Sequence, residues 1–555
     1  CRVTCSRPST WWQRTAAAVL VMAGVTFAVA GCGPSADKPT VGQKKSSRTA
    51  APATAERAPV GQAARPAADA REAPADDSSG AMGGNAQSPG SGNKSAPRRP
   101  RAGLGPAQPP TGPRTLADLL ADDTAESKAA AESPAAVPLP SAPGDAQPDL
   151  LIDDTQAAGA GIRKLAGKHL TLYTDVLPGP DVDDLTEAFD RAVPEWCRYF
   201  ELDPNRAATW HLTGFVMHDK ARFVDAGMLP VDLPPFPNGY ARGKCLWLYD
   251  QPDGYYRRHL LLHEGTHAFM SHFLGSMGPP WYGEGMAELL GTHRWQDGVI
   301  TLGYVPLDKS ETPGWGRVKI IKDEIAAGRG MMPAAILDYG PLAHRQVEAY
   351  AWSWGLASFL DSHPRYQERF RQLRHMVPDP NSTAWFKQQL QNDWPELNEE
   401  WQLFVMNLEY GYDVGRAAIV RKNAQPLPDR GATATIAADR GWQSSGIRLE
   451  AGGKYRLEAS GRYQVGKTSD IWWCEPGGIT LHYYQGRPLG QLLAAVRDDT
   501  QPPAGLTPLA KPEPVGLETT LTPPAAGTLY LRINESAAKL SDNAGQIEVR
   551  IRREE

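Results

Sequence analysis

The chain has 555 residues, enough for two or three domains at roughly 100–200 residues each. Its 58 Lys and Arg against 63 Asp and Glu leave a net charge of -5 with no long basic stripe, which argues against nucleic acid as a partner. The six cysteines (Cys1, Cys5, Cys32, Cys197, Cys245 and Cys474) form no C-x-x-C pair, which excludes a zinc ribbon or a thioredoxin-type site.

Residues 1–31 join a positively charged start, "CRVTCSRPSTWWQR", to the apolar run "TAAAVLVMAGVTFAVA", the pattern of a secretory signal peptide. Val29-Ala30-Gly31-Cys32 closes that run and resembles the lipobox of bacterial lipoproteins. The resemblance implies cleavage before Cys32, lipidation of its thiol, and an extracytoplasmic protein anchored to a bacterial membrane. In such a compartment Cys197 and Cys245 are candidates for a disulfide. Residues 32–155 are rich in Ala, Pro, Gly and Ser, with too few large apolar residues to offset the entropy of ordering. This stretch reads as a disordered tether, with a short helix over "TLADLLADDTAESKAAAE".

Alternation in "KHLTLYTDV" predicts a strand, and "DVDDLTEAFDRAVPEWCRYFEL" a helix after an acidic start. "ATWHLTGFVMHD" and "GKCLWLYDQ" read as further strands. Helices follow over "YYRRHLLLHEGTHAFMSHFLG", "GEGMAELLGTHRW", "VEAYAWSWGLASFLDS" and "YQERFRQLRHM". Strands first and helices after predict an α+β domain over residues 160–415. From 428 to 555, short alternating runs such as "GKYRLEASGRY" and "GTLYLRINE" lie between Gly- and Pro-rich turns, the signature of an all-β sandwich.

The chemistry concentrates at His263-Glu264-Gly265-Thr266-His267. In a helix the i and i+4 imidazoles share a face and reach one Zn2+ ion, and Glu264 stands where a general base for a water at the metal belongs. The pentapeptide alone arises by chance in roughly one or two chains in a hundred of this composition, so its surroundings carry the weight. Apolar neighbours Leu260, Leu262, Phe269 and Met270 would leave two unpaired imidazoles unsatisfied. Gly265 costs the helix about 1 kcal/mol relative to Ala, a penalty with no evident structural motive. Gly275 and the following Gly-Pro-Pro predict the helix end and a turn.

Trp281-Tyr282-Gly283-Glu284-Gly285-Met286-Ala287-Glu288 comes next and resembles the second helix of the gluzincin metallopeptidases, with its W-x-x-E-G-x-A-E pattern. The chain is similar to the peptidase MA-like group of bacterial proteins. This resemblance implies a zincin-like catalytic domain, with Glu284 as third ligand beside His263 and His267 and with Glu288 orienting a histidine. Glu288 stays open as the alternative ligand. It also implies hydrolysis of peptide bonds in a peptide or protein substrate. "HRQVEAYAWSWGLASFL" supplies Tyr350 as the candidate oxyanion donor, with His344 behind it, and a packed Tyr350 ring as the plain alternative. His259 is expected to be a supporting or a surface residue and not a ligand, and His218, His272 and His293 to be structural or exposed. "NGYARGKCLWLY" is a candidate strand for pairing with extended substrate.

The C-terminal runs "GWQSSGIRLEAGGKYRLEASGRY" and "GTLYLRINESAAKLSDNAGQIEVRI" resemble the sandwich of galactophilic bacterial lectins. That implies a loop at Asn534, Asp542 and Asn543 able to take Ca2+ and a glycan, or else only a structural turn. The two tryptophans of "DIWWCEPGG" are expected to pack in the core. The combined expectation is a membrane-anchored extracytoplasmic zinc metallohydrolase, a peptidase with a binding module. The rival is a non-catalytic surface lipoprotein that binds carbohydrate or envelope partners through its sandwich.

Overall fold

The computed structural model describes residues 150–555, apart from Thr468, Pro502, Ala504 and the side chain of His344. The signal segment, the Cys32 lipidation site and the tether helix lie outside the described residues. No described helix is long and apolar enough to cross a membrane. The described chain is an α+β portion followed by a β-rich C-terminal region.

Order begins before residue 160. Asp153 caps the helix Asp154–Gly159 by accepting from the Thr155 and Gln156 amides, and Ala157 is buried under the sheet. The sheet has the order β1 (Arg163–Ala166), β2 (Leu170–Thr174), β3 (Leu212–Met217), β5 (Cys245–Tyr249), β4 (Gly239–Arg242). The inner pairs β2–β3 and β3–β5 are parallel, whereas β1 and β4 close the two edges antiparallel.

Both faces of this sheet are covered, so its strands are nearly continuous apolar runs whose side chains alternate between two layers. Leu212, Val216, Leu246 and Leu248 face the helices, while Phe215, Met217 and Trp247 face the opposite layer. That alternation separates the two cysteines. Cys197 lies in the helical layer and Cys245 packs on the Trp247 side, and no disulfide joins them.

The helix Leu185–Tyr199 and the motif helix Gly254–Phe273 pack together beneath the sheet. Asp253 caps the motif helix, and Gly275, at φ 80, follows its end as the sequence predicts. The next helix, Pro280–Gly291, begins with proline at its first turn. Gly265 has a structural motive after all. A Cβ there would stand 2.6 Å from Phe189 Cε2 and 2.8 Å from Trp196 Cη2, so the glycine lets the two helices approach.

The C-terminal region stacks two main sheets. One orders the strands Glu513–Pro514, Leu492–Arg497, Gly527–Ile533, Gln443–Leu449 and Gln425–Pro426; the other orders Glu518–Leu521, Tyr455–Ser460, Gln546–Arg553 and Ala432–Ala437. Alternate residues such as Leu457, Ile547, Val549, Leu529 and Leu531 fill the space between them. Buried charges tie this region to the helices: Arg497 binds Glu399 at 3.0 Å and Arg421 binds Glu400 at 3.1 Å.

Candidate metal centre

One face of the motif helix presents both imidazoles, with Nε2 of His263 and Nε2 of His267 3.2 Å apart. The helix Pro280–Gly291 brings Glu284 to the same point. Its Oε2 lies 3.3 Å from His263 Nε2 and 3.4 Å from His267 Nε2. Ligands about 2.0–2.1 Å from a tetrahedral zinc ion are separated by about 3.3 Å, so the three donor atoms already have the spacing of one face of such a site. Glu284 Oε2 is buried without a hydrogen-bond partner in the protein, the state that a buried polar atom avoids unless something else satisfies it. Two nitrogen donors and one carboxylate oxygen suit zinc and leave its fourth position open. The residues fit the group.

Glu288 occupies a different place. Its carboxylate accepts from Arg317 Nε at 2.9 Å and Arg317 Nη2 at 2.8 Å. His259 Nε2 and His263 Nδ1 each approach it at 3.4 Å. Arg317 makes both hydrogen bonds to this carboxylate, whereas the two imidazole nitrogens lie beside it without a hydrogen bond. A second cluster of His259, His263 and Glu288 has metal-like spacing, but Arg317 neutralises its only carboxylate. Glu284 thus faces both imidazole Nε2 atoms, while Glu288 is paired with Arg317 on the Nδ1 side of His263.

The electrostatics agree with this division. Burial alone would raise Glu284, but His267 and His263 hold it far below the usual carboxylate range. Burial works the same way on Glu288, where Arg317 and His259 prevail and keep it ionised. Burial lowers the basicity of His263, yet Glu284 and Glu288 more than reverse that. Glu264 lacks a cationic partner of that strength. Burial pushes its carboxyl up.

Glu264 is wedged against the start of β4. A Cβ on Gly239 would stand 2.5 Å from Glu264 Oε1, so only glycine leaves room for the carboxylate. Sequence reading missed Gly239 and Arg317; neither sits in a recognisable motif, and each acts on a residue at least 25 positions away. The helix Val347–Ser362 places the half-buried Tyr350 beside the site, its ring 5.9 Å from that of His263. Burial, then Glu284 and Glu264, push the Tyr350 hydroxyl up, so it remains a proton donor. His259 is fully buried against Glu288, as expected of a supporting residue. His218 and His272 are exposed, and His293 is buried with Nδ1 2.8 Å from Gly291 O.

In the C-terminal region the expected ligand loop is turned toward the helices. Ala537 and Leu540 belong to the first portion's core, and Asp413 N donates to Ala537 O. The Asn534 side chain donates to the carbonyls of Tyr484, Arg487 and Pro488, which is structural work. Asn543 Nδ2 donates to Ala438 O, while Oδ1 of Asp542 and of Asn543 are buried without partners. The tryptophans depart from expectation. Trp473 is 49% exposed under Arg462, and Trp472 stacks on His482 at 4.6 Å, because their strand (Ile471–Cys474) pairs in a small peripheral sheet rather than in the two main ones.

No protein-family model matches the chain, and no curated protein matches it. Among solved structures, "EclA N-terminal domain; PllA-like lectin" is similar at 25% identity over 22% of this chain and 95% of that one, with a TM-score of 0.17.

Proposed function

We propose that this protein is a zinc-dependent peptide hydrolase of the gluzincin type, with the ion held by His263, His267 and Glu284. The observation that carries the reading is the 3.2–3.4 Å triangle of Nε2, Nε2 and Oε2 with Glu264 wedged beside it. Zinc bound there supplies Lewis acidity and an acidified water.

The chain's own residues do the rest. β4 is a sheet edge next to the motif helix, so its free backbone groups can pair with an extended peptide. Glu264 takes the proton of the attacking water on its carboxylate and returns it to the leaving amine. Tyr350 offers its hydroxyl hydrogen to the oxyanion. Glu288 keeps His263 turned with Nε2 toward Glu284.

The lipid anchor at Cys32 belongs to the same reading, as does an extracytoplasmic substrate. Mass spectrometry of the full chain tests the centre. One zinc per wild-type chain, kept in Glu264→Gln and lost in His263→Ala, is the expected result. A peptide library should then be cut by wild type and spared by Glu264→Gln. Folded wild type that takes up no zinc after reconstitution sinks the proposal.

A further inference from the structure

Arg317 lies 29 positions beyond Glu288 in sequence, and nothing in the H-E-x-x-H or W-x-x-E-G-x-A-E patterns calls for it. It is nonetheless the strongest partner of the centre. Its guanidinium is buried and meets Glu288 in a bidentate pair, Nε to Oε2 at 2.9 Å and Nη2 to Oε1 at 2.8 Å. Two parallel N–H donors fix the plane of a carboxylate as well as its charge, which a lysine ammonium does not do. The same guanidinium lies over the Tyr350 ring, its Cζ 5.8 Å from the ring centroid.

The arginine is itself held in place. Its Nη1 donates to Trp315 O at 3.2 Å, and Trp315 is fully buried edge-on against Trp354 at 4.7 Å, on the helix that carries Tyr350. Gly316 between them, at φ 64, makes the turn that points Arg317 inward at the start of the helix Arg317–Ala326. One short segment thus contacts the groups that orient a histidine ligand and the candidate oxyanion donor.

Resting on the zinc reading above, we propose that Arg317 is a positioning residue for the metal centre. It holds the Glu288 carboxylate 3.4 Å from His263 Nδ1, so that His263 presents Nε2, and it keeps Glu288 out of the ligand set in favour of Glu284. Without Arg317, Glu288 is a free buried carboxylate 3.4 Å from a ligand histidine, able to rotate toward the ion.

The test uses the full chain with Zn2+, titrated against a chromophoric chelator, and with Co2+ as an absorption probe. Arg317→Met should weaken zinc about 10- to 100-fold and change the Co2+ spectrum, as loss of an outer partner does in other zinc sites. Arg317→Lys should fall between it and wild type. Arg317→Met/Glu288→Gln should bind no more weakly than Glu288→Gln alone, because the arginine acts through that carboxylate. A merely structural arginine lowers the melting temperature and moves neither zinc affinity nor spectrum. Wild-type affinity and spectrum in folded Arg317→Met overturn the proposal, and if that variant does not fold, the same result in Arg317→Lys does. Wild type that binds zinc alongside such an unchanged variant leaves the centre standing and removes only this role. Wild type that binds none removes both.

Discussion

Replacing Gly265 with alanine separates two accounts of the glycine inside the H-E-x-x-H helix. Helix propensity alone predicts a gain of about 1 kcal/mol. Packing predicts the reverse. The new methyl carbon would sit 2.6 Å from Phe189 Cε2, 2.8 Å from Trp196 Cη2 and 3.3 Å from Phe189 Cζ, against about 3.5–4.0 Å for a carbon contact at rest. Neither ring has room to retreat. Phe189 and Trp196 are fully buried and meet edge-on at 5.3 Å, and Trp196 is braced by Trp210 at 6.4 Å and Phe269 at 5.5 Å. Overpacking of that kind costs up to about 3 kcal/mol. The net is a destabilisation of about 2 kcal/mol, or about 4–8 °C in Tm for a domain of this size. Urea and thermal unfolding by tryptophan fluorescence, with chelator present in every sample, give the comparison without a metal contribution. A Gly265→Ala protein as stable as wild type, or more so, would refute the packing argument.

Gly239→Ala forces Glu264 aside by about 1 Å, and a misplacement of that size costs a reacting group about 10²-fold in rate; zinc content should not change, and a variant as active as wild type would show that Glu264 tolerates the methyl. Tyr350→Phe removes the hydroxyl but keeps the ring, so kcat on any peptide found should fall about 10²–10³-fold at constant zinc content, whereas an unchanged kcat assigns Tyr350 to packing. Glu535, in the C-terminal region, gives a pH dependence of its own. Burial first, then Asp542, push its carboxyl up to about 7 against the pull of Arg532 and Lys539. A raised acid favours the folded state at low pH, so its contribution is full below about 4.5 and is lost as pH rises through 7, on the order of 3 kcal/mol in all. Glu535→Gln should flatten urea stability between pH 5 and 8, and an unchanged slope would rule this carboxyl out as its source.

The sequence by itself determined an α+β part followed by a β-rich one and which residues of the motif helix share a face, but it missed the hairpin His293–Gln296 with Val299–Leu302 and the helices Arg317–Ala326 and Trp394–Met406. Periodicity encodes the first two directly, since a helix repeats every 3.6 residues and a strand every two. His263 and His267 were legible for the same reason, four apart on one helix, whereas Glu284 came only from the W-x-x-E-G-x-A-E resemblance on the helix that follows. Only tertiary structure gives Glu284 and Glu288 different surroundings, because the difference depends on Arg317, a residue from another helix whose reach no local pattern records. The same holds for Gly265, read as a cost until Phe189 and Trp196 appear against it. Cys197 and Cys245 looked like partners until the sheet placed them on opposite faces. The loop around Asn534 could be read as a ligand loop or a structural turn, and the structure puts Ala537 and Leu540 beside it in the core of the preceding portion. Local propensities act along the chain within a few residues. What a side chain finally touches is set by close packing between distant segments, and that exists only once the chain has folded.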